Sequence, residues 1–336
     1  MNKLLVTGGL GFIGSSYIRL LLTEHDDISV VNLDLMTYAA NPATLKDFET
    51  DARYTFVRGD IADPEAVTNV LAGCDAVVNF GAETHVDRSI QNAAPFIRSN
   101  VEGVRVLLEA ARERGIRLLH VSTDEVYGEV PTGLSREDDA FRPRSPYSAS
   151  KAGGELLVQA YSTTYGMDTV ITRGSNNYGT HQFPEKIIPL FITNALDDLP
   201  LPVYGSGRAI RDYIFVADHV RGVHAALLKG KRGEAYNLGG QNQTDGLTVA
   251  KTVLAALGKP ESLITHVKDR PGHDYRYALE ISKAQRELGW SPQVTFEEGI
   301  ARVVRWYEAN RAWWQGGKAE QAAYFEAQYA GRAEAK

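Results

Sequence analysis

The chain has 336 residues, 43% of them hydrophobic and 23% charged, and 42 acidic against 36 basic side chains leave a formal net charge of −6. That length holds one large α/β unit or two domains, and the apolar share is that of ordinary folded proteins, which excludes a chain dominated by disorder. The negative balance, without any Lys/Arg block, excludes nucleic acid and anionic membranes as expected partners and leaves a small molecule.

No run of about 18 apolar residues suggests a membrane span. Cys74 is the single cysteine, so no intrachain disulfide is expected. The N-terminus passes into a strand-like run without the apolar segment of a signal peptide, and a reducing cytoplasm is the expected location. Short apolar runs rich in β-formers recur at 3–7, 28–33, 54–57, 76–80, 117–122 and 168–173, unalternating as in strands covered on both faces. Between them, 12–22, 64–71, 101–114 and 147–165 carry helical periodicity. Strand and helix in alternation predict an α/β fold, a Rossmann-type doubly wound parallel sheet. After about Asn176 the chain becomes Pro- and Gly-punctuated, with helical patterns at 247–257 and 296–310. The expected division is a Rossmann-type domain over 1–175 with about 210–232 returning to it, a loop-rich second lobe over 176–318, and a terminal amphipathic helix over 319–336.

Thr7-Gly8-Gly9-Leu10-Gly11-Phe12-Ile13-Gly14 follows the first strand and opens the first helix. Gly9, Gly11 and Gly14 satisfy G-x-G-x-x-G, and Gly8, Gly11 and Gly14 fit a G-x-x-G-x-x-G spacing. Glycines here allow a tight turn and close approach of a pyrophosphate to helix N–H groups. Asp34 ends the second strand 20 residues past Gly14, where a carboxylate accepts from ribose hydroxyls. No Arg or Lys follows at 35–37 to meet a 2′-phosphate, so NAD is expected over NADP. Asp60 and Ile61, after the third strand, are placed to contact the adenine.

Tyr147 and Lys151 lie one helical turn apart, where the ammonium is expected to lower the phenol's pKa and ready it to accept a proton from a substrate hydroxyl. Asp124 and Glu125 sit where an apolar run ends, the edge at which open α/β sheets place ligands; a solvated loop or helix-cap pair is the rival reading. No metal site is expected: His219 and His224 are five apart, and neither paired cysteines nor H-E-x-x-H occurs. No G-x-S-x-G elbow points to a hydrolase.

With the glycine turn and the Tyr-x-x-x-Lys pair, the sequence resembles the extended short-chain dehydrogenases/reductases. Within them it looks like the sugar-nucleotide 4,6-dehydratases that act on dTDP-glucose, on the strength of Thr123-Asp124-Glu125-Val126-Tyr127-Gly128, Glu83-Thr84-His85-Val86-Asp87-Arg88-Ser89, Asn176-Asn177-Tyr178-Gly179, Phe183-Pro184-Glu185-Lys186 and Arg270-Pro271-Gly272-His273-Asp274. The likeness runs to about Trp314. It implies a cycle in which Tyr147 deprotonates the C4 hydroxyl as hydride passes to NAD, Glu125 as base and Asp124 as acid eliminate water across C5 and C6, and the hydride returns to C6. The cofactor ends as it began and is expected to stay tightly bound. Related epimerases generally lack the carboxylate pair.

The resemblance also places Thr123 on the C4 oxygen and Lys151 near the nicotinamide ribose. On the cofactor side it implies Phe12, Ile13, Thr37, Phe80, Ala82, Asn100, Ser122 and Asn177. On the side of the nucleoside diphosphate sugar it implies Thr84, His85, Asn176, Glu185, Lys186, Ile187, Pro202, Tyr204, Arg211, Asn242, Arg270, His273 and Tyr277. Lys186, Arg211 and Arg270 supply positive charge for a pyrophosphate. Tyr204 stacks on the base, with a core tyrosine as the rival reading. Residues 241–246 depart from the family's common pattern, which opens the base selectivity; Thr84 replaces a frequent Ser and keeps the hydroxyl. A homodimer through 101–114 and 147–165 is implied. An epimerase or decarboxylase on the same scaffold, and a dinucleotide sensor without turnover, are the alternative readings.

Overall fold

The computed structural model describes residues 1–269 and 272–320. Its strands are β1 (Lys3–Thr7), β2 (Ser29–Asp34), β3 (Tyr54–Arg58), β4 (Ala76–Asn79), β5 (Arg117–Thr123) and β6 (Thr169–Gly174), followed by β7 (Asn176–Tyr178), β8 (Leu201–Tyr204), β9 (Ile210–Phe215), β10 (Ala235–Leu238), β11 (Gln243–Asp245) and β12 (Ile264–Val267). The helices begin with α1 (Phe12–Glu24), α2 (Pro64–Val70), α3 (Val86–Gln91), α4 (Ala94–Ile97), α5 (Val104–Arg114) and α6 (Pro146–Tyr165). The second half adds α7 (Ile187–Leu196), α8 (Val216–Lys229), α9 (Gly246–Leu257), α10 (Ser282–Leu288), α11 (Phe296–Ala309) and α12 (Arg311–Glu320).

Seven strands form one parallel sheet in the order β10-β6-β5-β4-β1-β2-β3. The order reverses between β1 and β4, the place where doubly wound sheets open a crevice for ligands. The inner strands are buried on both faces, as their unalternating sequences require. β3 is a correction to that expectation: it is the sheet's edge and is partly exposed, with Phe56 39% accessible. β10 was not legible as a strand, and it brings the second half of the chain into the main sheet.

One face of the sheet is covered by α1, α8 and α10, whose Tyr17, Leu21, Val220, Val223 and Leu288 pack with Trp290 over the strands. The other is covered by α2, α5 and α6 through Val67, Leu107, Leu108 and Val158. A third core joins α7, α9 and α11 through Phe191, Val253, Ile300 and Tyr307, beside the small sheets β11-β9-β7 and β12-β8. Burial of each such side chain contributes about 1.5–3 kcal/mol.

The helix ends explain where the site lies. α6 starts at a capping box between Ser145 and Ser148 with Pro146 in its first turn, and stops at Gly166 in the left-handed region. α2 starts at Asp63, whose carboxylate accepts from Glu65 and Ala66 N–H. α1 has no side-chain cap; Gly11 stands there, which leaves its leading N–H groups for an anion. Residues 98–103 are π-helical and link α4 to α5, so the predicted helix at 101–114 begins earlier than its periodicity suggests. No helix among the described residues is long and apolar enough to cross a membrane. The expected terminal helix at 319–336 falls, beyond Glu320, outside the described residues.

Candidate active site

One continuous cavity runs along the C-terminal ends of β1, β2, β4, β5 and β6 and on into the second half of the chain. Its first end is the turn between β1 and α1. Gly8 has φ +67, and a Cβ there would fall 2.7 Å from Gly81 N; a Cβ on Gly14 would fall 2.2 Å from Gly8 O. No side chain fits at either position, and the turn presents backbone to the cavity. Asp34 closes this end, its carboxylate accepting from Leu10 N (2.9 Å) and Met36 N (2.8 Å). Burial raises its pKa, against those two N–H groups. Asp60 accepts from Ala62 N (2.8 Å) and pairs with Arg98 (2.7 Å).

Gly11, Phe12, Ile13, Thr37, Ile61, Phe80, Ala82, Ser122 and Asn177 also line the cavity. Asn100 does not. It is buried behind the wall, where its amide accepts from Glu83 N (3.0 Å) and donates to Glu83 O (3.0 Å) and Ser150 Oγ (2.8 Å). A glycine turn that admits no Cβ at Gly8 or Gly14, an uncapped helix and a carboxylate at the next strand end together fit the pyrophosphate and ribose of NAD.

At the middle of the cavity β5 ends in Thr123, which caps a short 3₁₀ turn, Asp124–Tyr127, by accepting from Glu125 N (3.3 Å). This turn delivers both carboxyl groups to the cavity, facing Tyr147 and Lys151 on α6. Thr123 Oγ1 donates to Asp124 Oδ1 (3.2 Å), while Asp124 Oδ2 has no hydrogen-bond partner among the described residues. Burial pushes the Asp124 carboxyl well above the usual carboxylate range, with Glu125 and Asp212 adding and Arg211 opposing. A carboxyl whose pKa is raised is suited to give a proton as an acid.

The expected lowering of the Tyr147 phenol is corrected. Burial pushes it up, the charges of Glu125 and Asp124 add to that, and contact with the Thr123 hydroxyl works the other way. Lys151 Nζ donates to Val121 O (2.8 Å), and burial lowers its pKa to about 8. Beneath this layer Glu155 on α6 holds Arg173 (2.6 Å) in a fully buried pair.

At the far end Thr84, His85, Asn176, Glu185, Lys186, Ile187, Pro202, Tyr204, Arg211 and His273 all line the cavity. Lys186 Nζ donates to Thr84 O (3.0 Å). Glu185 accepts from Tyr38 Oη (3.1 Å) and lies 3.7 Å from His85 Nε2. Tyr204 is half-buried, not a core residue, with its hydroxyl 3.5 Å from Asp87. Arg211 donates to the carbonyls of Ile210 (2.7 Å) and Asp274 (2.9 Å) and lies 4.4 Å over the Tyr277 ring.

Asn242 and Tyr277 do not line the cavity. Asn242 spends its amide on Tyr213 O (3.2 Å) and Gly240 O (2.8 Å), and Tyr277 donates to Asp274. Arg270 lies outside the described residues. Lining residues that sequence reasoning missed include Asp87, Phe191, Ala209, Tyr213 and His219. Asp87 lay inside a quoted motif and had a signal; the others are ordinary core or loop residues by sequence.

The chain matches the GDP-mannose 4,6 dehydratase family over residues 5–303. It is 50% identical over 318 residues to a dTDP-glucose 4,6-dehydratase of an Actinoplanes species, covering 93% of this chain and 99% of that one. Among solved structures it is similar to the dTDP-glucose 4,6-dehydratase of Streptomyces venezuelae with NAD bound, at 47% identity and a TM-score of 0.92, over 94% of this chain and all (100%) of that one. It is also similar to a UDP-glucuronic acid 4-epimerase of Bacillus cereus, at 30% identity and a TM-score of 0.87, over 91% of this chain and 99% of that one. The cofactor end, the Tyr147/Lys151 pair and the two carboxyls on the β5 turn therefore sit in a chain that belongs to the dTDP-glucose 4,6-dehydratases, NAD-dependent hydro-lyases among the extended short-chain dehydrogenases/reductases.

Proposed function

We propose that the cavity converts dTDP-glucose to dTDP-4-keto-6-deoxyglucose, and that Asp124 and Glu125 beside Tyr147 are the observation that carries this reading. The same fold serves epimerization in the B. cereus relative, so the fold alone does not choose the reaction. Two carboxyls in different surroundings support elimination: one is buried, with its pKa pushed well above the usual carboxylate range, and the other is half-buried and lines the cavity. The glycine turn and Asp34 would hold NAD, which would supply the acceptor for the C4 hydride and its donor to C6.

Tyr147 accepts the C4 hydroxyl proton, with Thr123 holding the oxygen. The ketone so formed acidifies the C5 proton, which Glu125 removes while Asp124 protonates the departing C6 hydroxyl. Glu125 then returns its proton to C5. Burial of Tyr147, Lys151 and Asp124 keeps bulk water from the reacting carbons, which supports tight retention of the cofactor through the cycle. Lys186 and Arg211 are suited to the pyrophosphate and Tyr204 to the base.

Incubation of the purified protein with dTDP-glucose, followed by mass spectrometry, tests the reading. The expected product is one water lighter, with no added cofactor consumed. In Glu125→Gln the expected outcome is slow reduction of bound NAD without dehydration; normal dehydration by that variant would remove the base assignment. A product of unchanged mass favours epimerization.

The reading includes a homodimer in a cytoplasmic setting, the chain dividing its labour between the NAD-binding sheet and the loop-rich substrate lobe. α5 and α6 form the proposed dimer face. On α6 Leu156 and Tyr165 are 52% and 55% exposed, which supports a covering partner. Light scattering that returns a monomer would refute it.

A further inference from the structure

The proposed cycle leaves one proton in the wrong place. Tyr147 finishes a turnover holding the proton of the C4 hydroxyl, and Asp124 finishes without the proton that left in water. Glu125 is unchanged, because it gives back to C5 what it took. The electrons balance as well, since the hydride lost from C4 is gained at C6. Before a second turnover, one proton must therefore pass from the Tyr147 hydroxyl to the Asp124 carboxylate.

We propose that Thr123 carries that proton, its hydroxyl releasing its own hydrogen to Asp124 Oδ1 as it accepts the one from Tyr147. The proposal rests on the dehydration reading and deepens it. A threonine hydroxyl has one hydrogen and two lone pairs. Here the hydrogen points to Asp124 Oδ1 at 3.2 Å, one lone pair accepts from Glu125 N–H at 3.3 Å, and the remaining one is free for the Tyr147 hydroxyl, with which Thr123 is in polar contact. The capped turn thus places the hydroxyl between phenol and carboxyl.

Tyr147 and Asp124 are 8% and 3% exposed, so exchange with bulk water is obstructed. The Lys151 ammonium donates to Val121 O. Asp124 Oδ2, without a partner among the described residues, is left for the sugar's C6 oxygen, and a half-turn about Cβ–Cγ exchanges it with the oxygen that receives the proton. Phenolate with acid before turnover and phenol with carboxylate after it are then two tautomers of one enzyme. The relay sets the path; oxidised NAD, cationic when bound, favours the phenolate.

Rapid-quench kinetics on the holoenzyme separates this role from positioning of the C4 oxygen. Thr123→Val is expected to slow the first turnover modestly but every later one further, so that the ratio of first-turnover to steady-state rate rises by on the order of a hundredfold over the wild type. Thr123→Ser, which keeps the hydroxyl, is expected to restore the wild-type ratio. The steady-state rate of the valine variant should rise with buffer concentration at fixed pH, while that of the wild type should not. An unchanged ratio in Thr123→Val, or a buffer-dependent wild type, would overturn the relay. A wild type that makes no dehydrated product would instead sink the dehydration reading itself.

Discussion

The two ends of the cavity are built from different materials. At the β1–α1 turn the wall is backbone, supplied by residues 8–14 within one stretch, with Asp34 at the neighbouring strand end. At the far end it is side chains that arrive singly from positions as distant as Thr84, Lys186, Arg211 and His273. A backbone wall admits almost no substitution, because a Cβ has nowhere to go; a side-chain wall loses contacts one at a time. The cofactor end should therefore fail abruptly when altered, and the substrate end by degrees.

Between the two lies Tyr147, and its loss should produce the largest effect. Tyr147→Phe is expected to lower kcat by roughly a thousandfold while bound NAD, measured in the purified protein, stays at the wild-type level. Near-normal turnover would end its role as base. Gly14→Ala puts a methyl 2.2 Å from Gly8 O, a backbone atom that cannot move alone. Overpacking of this kind costs about 3 kcal/mol, or on the order of a hundredfold in NAD affinity. A variant that still purified with full NAD would break the contrast between the ends. Lys186→Ala should act by degrees, raising KM for dTDP-glucose roughly tenfold with kcat and NAD content kept, as suits loss of one charge-assisted contact. A fall in kcat with KM unchanged would move Lys186 into the chemistry.

The smallest expected effect concerns His219, which lines the cavity beneath Gly174, where a Cβ would meet its Nε2 at 2.5 Å. Burial lowers its pKa to about 4. The unfolded chain takes up this proton near pH 6.5 and the folded chain does not, so the stabilisation is present above 6.5 and is lost as the pH falls toward 4. Urea unfolding should show the wild type losing about 1 kcal/mol more than His219→Asn between pH 7.5 and 5.5. Equal losses would mean the ring charges freely in the fold.

What the sequence made legible follows the same division. Gly8 to Gly14 and Asp34 form a local pattern whose spacing is its geometry, and Tyr147 and Lys151 share a helix face by counting. The second half resisted. β10 is four residues, Ala-Tyr-Asn-Leu, too short to show a period, and only its pairing with β6 makes it a strand. Asn100, Asn242 and Tyr277 support the wall from behind, a distinction set by tertiary packing. The Tyr147 phenol moved opposite to expectation because spacing reveals a nearby ammonium but neither the depth of burial nor the carbonyl toward which Lys151 turns.

The chain's return to its first sheet has a mechanical consequence. α8 lies against α1, and β10 closes the sheet beside β6, after the chain has already built β7 to β9 elsewhere. Neither half keeps a complete hydrophobic interior when taken alone. A protease nick in the segment near 180–186 should therefore release no separately foldable fragment. The two pieces would remain clasped and melt together in one cooperative transition.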